Sequence, residues 1–540
     1  MAIPLIPRRT AGVLSLAAAC GVAVTGLPAR AADTRDTACR TTQECLAEVA
    51  KIQGTVSRDA TSALSKSQDQ FYWLGRINMA STVMTAERKI IPPELVGPIA
   101  RGVAHSIDQA SKPGGKRPGD VLQVEKIITD VAGPEATLIH SGRSRQDMYA
   151  SIRSAQLRLE LLDFADALDA ARSRLLAIAE KHVDTLVPAY TNGVQAMPVS
   201  YAHYLLAFAD SFARDAQRIR EAWARVNLSA MGTGVLANSS WPLDRERLAS
   251  LLGFDGLSVN SYDAGQVSTY DVPIEAANIA GSVAIRVGAM MQDVHIQYHQ
   301  TRPWLLLASG KTYTSSAMPQ KRNPGVIQNT RGKASDVVAS AQWVTMRAHN
   351  VSPGMTDYKQ SWNASTARTF VLGVEMLRQF TDVLDSLRID PKRSLEELEV
   401  EWTTSMDLAE TLQRERGVPF RVGHHFASEI VSHAREHGLT PKEFPYAQAQ
   451  RIYAEAGEKY RIADPTLPLD EAAFRKTLSP QNMVRTRVGV GGPQPDEVRR
   501  MLGVASERLK ADRQWASERR ARLAEAEATL NQAFATLLAR

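Results

Sequence analysis

Residues 157–182 have the sequence LRLELLDFADALDAARSRLLAIAEKH, and this stretch decides the fold class. Apolar residues recur in it at alternating intervals of four and three positions, which places them on one face of an α-helix. They are Leu157, Leu161, Phe164, Leu168, Ala171, Leu175 and Ile178. A long helix with one apolar face buries that face against other helices, so the stretch predicts a helix bundle.

Other parts of the chain favour the same fold class. A second apolar face runs from Leu205 to Trp223. The segment from Val272 to Ile296 is rich in Ala, Gly, Val and Met, which allows neighbouring helices to surround it closely. The tail from Asp496 to Arg540 is dense in Arg, Glu and Ala, which is typical of one or two solvated, salt-bridged helices. We therefore predict an all-α protein.

The composition excludes several classes of protein. The chain has 540 residues, of which 44% are apolar and 23% charged, and this balance excludes collagen, a disordered chain and a polytopic membrane protein. The net charge of +6 is small and evenly spread, so it does not predict nucleic-acid binding. A chain of this length is expected to form roughly two to four domains.

The N-terminus has the pattern of a secretory signal peptide. Arg8 and Arg9 precede an apolar stretch from Ala11 to Leu27, and Ala29-Arg30-Ala31 offers a cleavage site. We predict that residues 1–31 are removed and that the protein is exported, to the periplasm of a bacterium. The alternative interpretation of this stretch is a buried helix.

Cysteine usage agrees with export. Cys20 would leave with the signal peptide, so Cys39 and Cys45 would remain as a pair. In an oxidising compartment these two residues can close a small disulfide loop, and the alternative is two unrelated thiols. No second Cys/His pair accompanies them in the sequence, which argues against a zinc site.

Three polar segments interrupt the helical pattern and contain Gly or Pro. They are IHSGRSRQDMY at 139–149, VPAYTNGVQAMPVS at 187–200 and GKTYTSSAMPQKRNPGVIQN at 310–329. Functional loops are expected at such exceptions. Taken singly, SGRSR is equally an anion clamp or an exposed basic turn, and the Ser315-Ser316 pair could cap a helix.

Taken together, the three segments resemble those of a known family. TSSAMPQKRNP resembles the signature loop of the fumarase/aspartase superfamily, and HSGRSRQD is similar to the HTGRSRND segment that marks argininosuccinate lyases within it. The likeness continues in order through PAYTNGVQAMPVSYAHYLLAF, LSAMGTGVLANSSWPLDR, NSYDA, SMDLAETL, GVPFRVGHH and VGVGGPQPDEV. It covers roughly residues 70–505.

The resemblance implies a three-domain, nearly all-helical subunit whose long central helices form the core of a homotetramer. It also implies an active site where three loops from three different subunits converge, and an anti β-elimination that uses neither a metal nor an organic cofactor. The products would be fumarate and an amine. Beyond the signal peptide, the predicted domains are 32–133, 134–400 with the signature loop 310–329, 401–510 and a charged helix 511–540.

The resemblance assigns roles to residues of this chain. Ser315 would be the base that removes the Cβ proton, ionised by Lys321 and the backbone amides of the loop. Lys321 and Asn323 would hold the carboxylate that takes up negative charge. The remaining predicted substrate-binding residues are Ser144, Arg145, Gln146, Thr191, Asn192, Gln320 and Gln328.

The chain also departs from the family pattern. Asn192 stands where the family carries His, and Gln328 stands where it carries Glu. In the family these two pair as an acid and its orienting carboxylate, so we predict that the elimination half is retained while the leaving-group half is altered. The clamp triplet ends in Gln146 instead of Asn, and Thr314 replaces Gly.

Three functional interpretations follow. The leading one is an exported carbon–nitrogen lyase acting on an N-substituted aspartate, with argininosuccinate as the default substrate of the family. The second is a relative, such as a cycloisomerase, that acts on a different carboxylate substrate. The third is a non-catalytic tetramer retained for binding or structure, which the double amide substitution favours and the intact Ser315, Lys321 and Asn323 oppose.

Overall fold

Helices make up most of the computed structural model, which describes residues 68–111, 115 and 117–540. The predicted signal peptide, Cys39 and Cys45 lie outside the described residues. The described part belongs to one compact unit, Thr61–Arg540.

The helices, in chain order, are α1 (Gln70–Glu87), α2 (Pro93–Ser111), α3 (Val121–Ala132), α4 (Arg145–Lys181), α5 (Tyr201–Val226), α6 (Arg245–Leu251), α7 (Ser268–Ile296), α8 (Gly325–Ala348), α9 (Thr356–Ser386), α10 (Pro391–Val400), α11 (Ser405–Arg416), α12 (Phe420–His437), α13 (Tyr446–Tyr460), α14 (Glu471–Thr477), α15 (Pro480–Thr486) and α16 (Pro495–Leu538). The short strands are β1 (Leu186–Thr191), β2 (Val194–Ser200), β3 (Leu228–Ser229), β4 (Gly256–Leu257), β5 (Leu305–Leu307), β6 (Tyr313–Thr314), β7 (Arg322–Asn323) and β8 (Leu387–Ile389).

The largest hydrophobic core lies among the long helices α4, α5, α7, α8 and α9. The apolar face predicted on 157–182 is buried, and Leu161, Phe164 and Leu168 are fully inaccessible to solvent. Gly373 on α9 lies so close to the Phe164 ring that an added Cβ would come within 2.8 Å of it. The prediction of an all-α fold built on a central bundle of long helices is confirmed.

Two further cores flank the bundle. One joins α1, α2 and α3 to the C-terminal end of α16, and the other lies among α11, α12, α13 and α14. Helix α16 runs without a break from Pro495 to Leu538, so the boundary predicted between 510 and 511 falls inside a helix and does not divide the chain there. Because Leu509 is buried in one core and Phe534 in another, packing at both ends stabilises α16 as one continuous helix. The other domain boundaries stay predictions.

The strands form four two-stranded pairs that shape the connections of the bundle. β1 and β2 make an antiparallel hairpin directly after α4, β5 pairs with β8, and β6 pairs with β7. β3 and β4 are parallel. The hairpins β1–β2 and β6–β7 carry two of the three polar segments that interrupt the helical pattern.

Candidate active site

The first polar segment ends in the turn that starts α4. Ser144 has an extended backbone, and its hydroxyl accepts a hydrogen bond from the Gln146 N–H at 3.4 Å. The Asp147 carboxylate accepts from the Ser144 N–H at 2.6 Å, which completes a capping box. Arg145 is exposed on the first turn. The predicted clamp residues therefore share one helix N-terminus, where unpaired N–H groups and the helix dipole favour an anion.

Asp147 anchors this turn to a second loop. Its other carboxylate oxygen accepts the backbone N–H of Gly232 at 3.1 Å, and the side chain is fully buried. Burial raises the pKa of Asp147 to about 6, while the backbone N–H donors and Arg143 act to lower it. In the anchored loop, Val235 has a φ of 78°, a strained conformation for a β-branched residue. Backbone strain of this kind is concentrated at functional sites.

Gln146 belongs to a buried polar cluster that sequence reasoning missed. Its Oε1 accepts from Gln266 Nε2 at 2.7 Å and from Lys359 Nζ at 3.4 Å, and Lys359 also donates to Gln266 Oε1. Gln266 lies in a π-helical turn, Asp263–Val267, immediately before α7. Such turns occur frequently at functional sites. The NSYDA motif points to this turn in the sequence, whereas Lys359 has no comparable signal.

The second polar segment forms the tip of the β1–β2 hairpin. Thr191 pairs with Val194, which leaves Asn192 and Gly193 as a two-residue loop. Their φ angles are 52° and 76°. Asn-Gly is the preferred pair for a turn with both central residues in the left-handed region. The turn conformation therefore explains why Asn is suitable at position 192, whether or not this residue also contacts the substrate.

The third polar segment is the signature loop, at the tip of the β6–β7 hairpin. The Ser315 hydroxyl oxygen accepts backbone N–H groups from Ala317 at 3.3 Å and Met318 at 3.2 Å. Two amide donors on one oxygen stabilise a negative charge there, as an ionised serine requires. The loop amides predicted to ionise Ser315 are therefore in contact with its oxygen.

The other predicted residues of this loop lie beside Ser315 in the same hairpin. Asn323 Nδ2 donates to the Tyr313 carbonyl at 3.3 Å, which ties one strand of the hairpin to the other. Lys321 and Gln320 are exposed at the tip, and Gln328 is exposed in the first turn of α8. Exposed polar groups on a loop are available to bind a substrate or a neighbouring subunit.

The clamp turn and the signature loop lie at opposite ends of the bundle. Lys359, which contacts Gln146, and Ser386, whose carbonyl accepts from the Ala308 N–H, are 27 positions apart in α9. At about 1.5 Å per residue they are about 40 Å apart. The seven residues from Ala308 to Ser315 span at most about 25 Å. Gln146 and the segment that leads into the signature loop are therefore anchored at opposite ends of α9, and the connection from Ala308 to Ser315 is shorter than the distance between the two anchor points, which disfavours a single-chain site that uses both residues.

Two histidines in or directly after the polar segments, His140 and His203, have structural partners. Burial and the neighbouring Arg143 lower the pKa of His140 to about 2, so its imidazole is neutral. It lies 2.8 Å from the Glu125 carboxylate and accepts from Arg143 Nε at 3.1 Å. His203 Nε2 is 3.0 Å from the carbonyl of Gly491. Both contacts fit structural roles.

Comparisons with known proteins agree with the motifs. The family model described as Lyase matches residues 117–339, and the model described as Argininosuccinate lyase C-terminal matches residues 402–485. Argininosuccinate lyase of Methanosarcina barkeri is 30% identical over 445 residues, which are 81% of this chain and 87% of that relative. The enzyme of Haloarcula marismortui is 29% identical over 491 residues, or 88% and 93% of the two chains.

Solved structures with this fold point in the same direction. EDDS lyase in complex with formate is 26% identical and has a TM-score of 0.77, over 87% of this chain and 92% of that one. Class II fumarase from Schistosoma mansoni, at 14% identity and a TM-score of 0.59 over 81% and 94% of the two chains, shares the fold. The chain therefore belongs to the argininosuccinate lyase branch of the fumarase/aspartase superfamily.

Proposed function

We propose that this protein is a carbon–nitrogen lyase that cleaves an N-substituted aspartate by anti β-elimination, releasing fumarate and an amine. The observation that carries the proposal is the Ser315 oxygen, which accepts two backbone N–H groups in a loop that also presents Lys321 and Asn323. Contacts from the N–H groups two and three residues ahead also occur in structural serine turns, so the argument for catalysis rests on finding Ser315 together with Lys321 and Asn323 in one exposed loop. This argues for catalysis over a merely structural tetramer.

The residues divide the reaction into two halves. Ser315, as the alkoxide, takes the proton from Cβ, and the C–H electron pair is delocalised into the adjacent carboxylate, which Lys321 and Asn323 hold. The pair then forms the C=C bond while the C–N bond breaks and its electrons leave on nitrogen. The side-chain amides of Asn192 and Gln328 are far too weakly acidic to transfer a proton at neutral pH, so we propose that water protonates the leaving amine.

The site needs more than one chain. Within one chain Gln146 and Ser315 are held apart by the length of α9. The central helices also expose large apolar side chains. Exposed apolar patches often mark interfaces with another protein chain. They include Ile285, Trp343, Met346 and Val371, which are 53% to 66% exposed. We propose that these helices form the core of a homotetramer in which the clamp, the hairpin and the signature loop come from three subunits.

Export is part of the proposal. The pattern of Arg8 and Arg9, an apolar stretch and Ala29-Arg30-Ala31 supports a cleaved signal peptide. We propose that the mature enzyme acts in the periplasm. Mass spectrometry of the protein purified from the periplasmic fraction tests this, because the mass must correspond to a chain that begins after residue 31. A full-length mass in the cytoplasmic fraction would contradict export.

Argininosuccinate is the first substrate to test, because relatives named argininosuccinate lyase align over most of this chain. The assay is the appearance of the fumarate absorbance band with argininosuccinate and a panel of N-substituted aspartates. We expect fumarate from wild type and none from Ser315→Ala. Ser432→Ala, an exposed helix position, is the matched control and should keep wild-type activity. No fumarate from any compound in the panel would refute the lyase proposal.

A further inference from the structure

We propose that a cavity between α1, α4, α6 and α16 binds a small apolar carboxylate, at a place separate from the proposed active site. The cavity has a volume of about 250 Å³, and its lining includes Trp73, Arg158 and Leu523. Arg158 is 13 positions from Arg145 in α4, which is about 20 Å along the helix. The inference goes beyond the proposed lyase activity and does not depend on it.

Two N–H groups of the cavity wall have no acceptor among the residues that the structure describes. They are Arg158 Nε and Trp73 Nε1, and the two residues are only 2% and 6% exposed. A buried N–H group without an acceptor costs free energy, so both groups favour a ligand that brings an acceptor. The guanidinium carbon of Arg158 is 5.3 Å from the centre of the Trp73 ring, so one ligand can contact both side chains.

Arg158 also supplies a buried positive charge. Its Nη atoms donate to Asn227 Oδ1 and to the carbonyls of Leu252 and Gly253, all of which are neutral. The carboxylate of Asp255 attracts the guanidinium and acts to raise its pKa, but burial outweighs this attraction and lowers the pKa of Arg158 to about 9. An acceptor that carries a negative charge makes a stronger hydrogen bond to a guanidinium than a neutral one does. The site therefore favours a carboxylate over a carbonyl or an amide.

The other charged side chains of the lining already have partners. Arg520 donates to two aspartate side chains of α4, and Arg76 donates to the Glu527 carbonyl at 3.0 Å. The Glu527 carboxylate accepts the hydroxyl of Tyr72 at 3.0 Å. Because these groups are paired with each other, Arg158 is the buried cation of the lining that still has a hydrogen bond to make.

The rest of the lining selects an apolar body for the ligand. Leu159 on α4, Leu251 on α6, and Leu523 with Ala524 on α16 all contribute to the wall. An apolar cavity of about 150 Å³ is large enough to bind benzene. The present cavity of about 250 Å³ therefore has room for such a ring with a carboxymethyl group. Phenylacetate has this size and chemistry and is the probe for the test.

The test is calorimetric titration of the purified protein with phenylacetate and with phenylacetamide, which has nearly the same shape but no charge. We expect saturable binding of phenylacetate, about tenfold tighter than that of phenylacetamide. Trp73→Phe removes one free N–H but keeps an aromatic ring, and should weaken phenylacetate binding by about 2- to 10-fold. Ala524→Phe should fill the cavity and abolish binding. Ala528→Phe, at an exposed position of the same helix, is the matched control and should bind as wild type does.

A variant of the proposed clamp separates the two sites. Arg145→Ala should bind phenylacetate as tightly as wild type, because the clamp lies about 20 Å from the cavity along α4. Binding that is lost in Arg145→Ala and kept in Ala524→Phe would place the probe at the clamp and overturn the inference.

Thermal unfolding gives a second measurement. Phenylacetate should raise the melting temperature of wild type and Ala528→Phe but not that of Ala524→Phe, because a ligand that binds the folded state stabilises it. Absence of saturable binding to wild type would refute the site, and equal affinity for both compounds would refute the carboxylate as its ligand. All of these measurements concern binding and stability, so their failure is distinct from a failure to release fumarate.

Discussion

Mixed tetramers provide a sharp test of how the site is assembled. Ser315→Ala removes the proposed base, and Arg145→Ala removes the proposed clamp cation from the opposite end of the bundle. Each variant alone should be nearly inactive, because loss of a general base costs about 10²- to 10⁴-fold in rate. Loss of one partner of a charge pair in a closed site costs about 2–5 kcal/mol, or roughly 30- to 5,000-fold. When the two variants are co-expressed, however, some sites should contain neither defect.

The recovered activity follows from the geometry. Because about 40 Å of helix α9 separates the two ends, the proposed site takes Ser315 from one chain and Arg145 from another. In a random one-to-one mixture, half of the chains carry an intact Ser315, and half of the clamp donors carry an intact Arg145. About one site in four is then wild type. We expect about 25% of wild-type fumarate release per site, measured on tetramers purified through two different affinity tags.

A matched pair supplies the control. Ser315→Ala mixed with Lys321→Ala should recover no activity, because both residues belong to one loop of one chain and every site keeps a defect. If the Ser315→Ala and Arg145→Ala mixture stayed at the level of its parents, while assembling as mixed tetramers, the shared-site argument would be wrong.

Three further predictions concern the leaving group, the clamp charge and the C-terminal helices. Asn192→His with Gln328→Glu should raise turnover of argininosuccinate only as the double variant, and equal gains from either single change in steady-state assays would refute coupling of the pair. The kcat/KM for argininosuccinate should fall as the pH rises past about 8, because Lys359, which donates to the clamp residue Gln146, loses its charge there in the free enzyme; Lys359→Arg should abolish this fall, and an unchanged profile would contradict a role for this lysine at the clamp. Arg487→Met should destabilise the protein by about 3–5 kcal/mol at neutral pH in denaturant unfolding, because Asp407 is fully buried with Arg487 as its cationic neighbour at 3.6 Å. Burial raises the pKa of Asp407 and Arg487 lowers it, so loss of Arg487 should favour the protonated carboxyl in the folded variant. The difference in unfolding free energy between wild type and the variant should therefore shrink as the pH falls towards 4. Adding Asp407→Asn should recover part of the lost stability, and a difference that does not depend on pH would argue against this cause.

Local sequence was sufficient for the helices and the loop motifs. The apolar period of residues 157–182 depends only on the chain itself, and the buried face of α4 matches it. Ser144 as a helix cap and the Asn192-Gly193 turn are likewise short-range features, because their hydrogen bonds and backbone angles involve residues a few positions apart. The residues proposed as the base, the clamp and the hairpin tip were therefore recognisable from their motifs, and their roles stay predictions.

Long-range contacts were beyond the reach of the sequence. Lys359 meets Gln146 across 213 positions and Gln266 across 93, and no local period marks a lysine that will be buried by helices arriving from elsewhere. The separation of Ser315 from the clamp depends on which end of the bundle each connection occupies, which is a property of packing direction. Sequence motifs identify the side chains that the proposed chemistry needs. Only the packing of the helices determines which of these side chains lie close together in one chain and which charged groups are buried next to them.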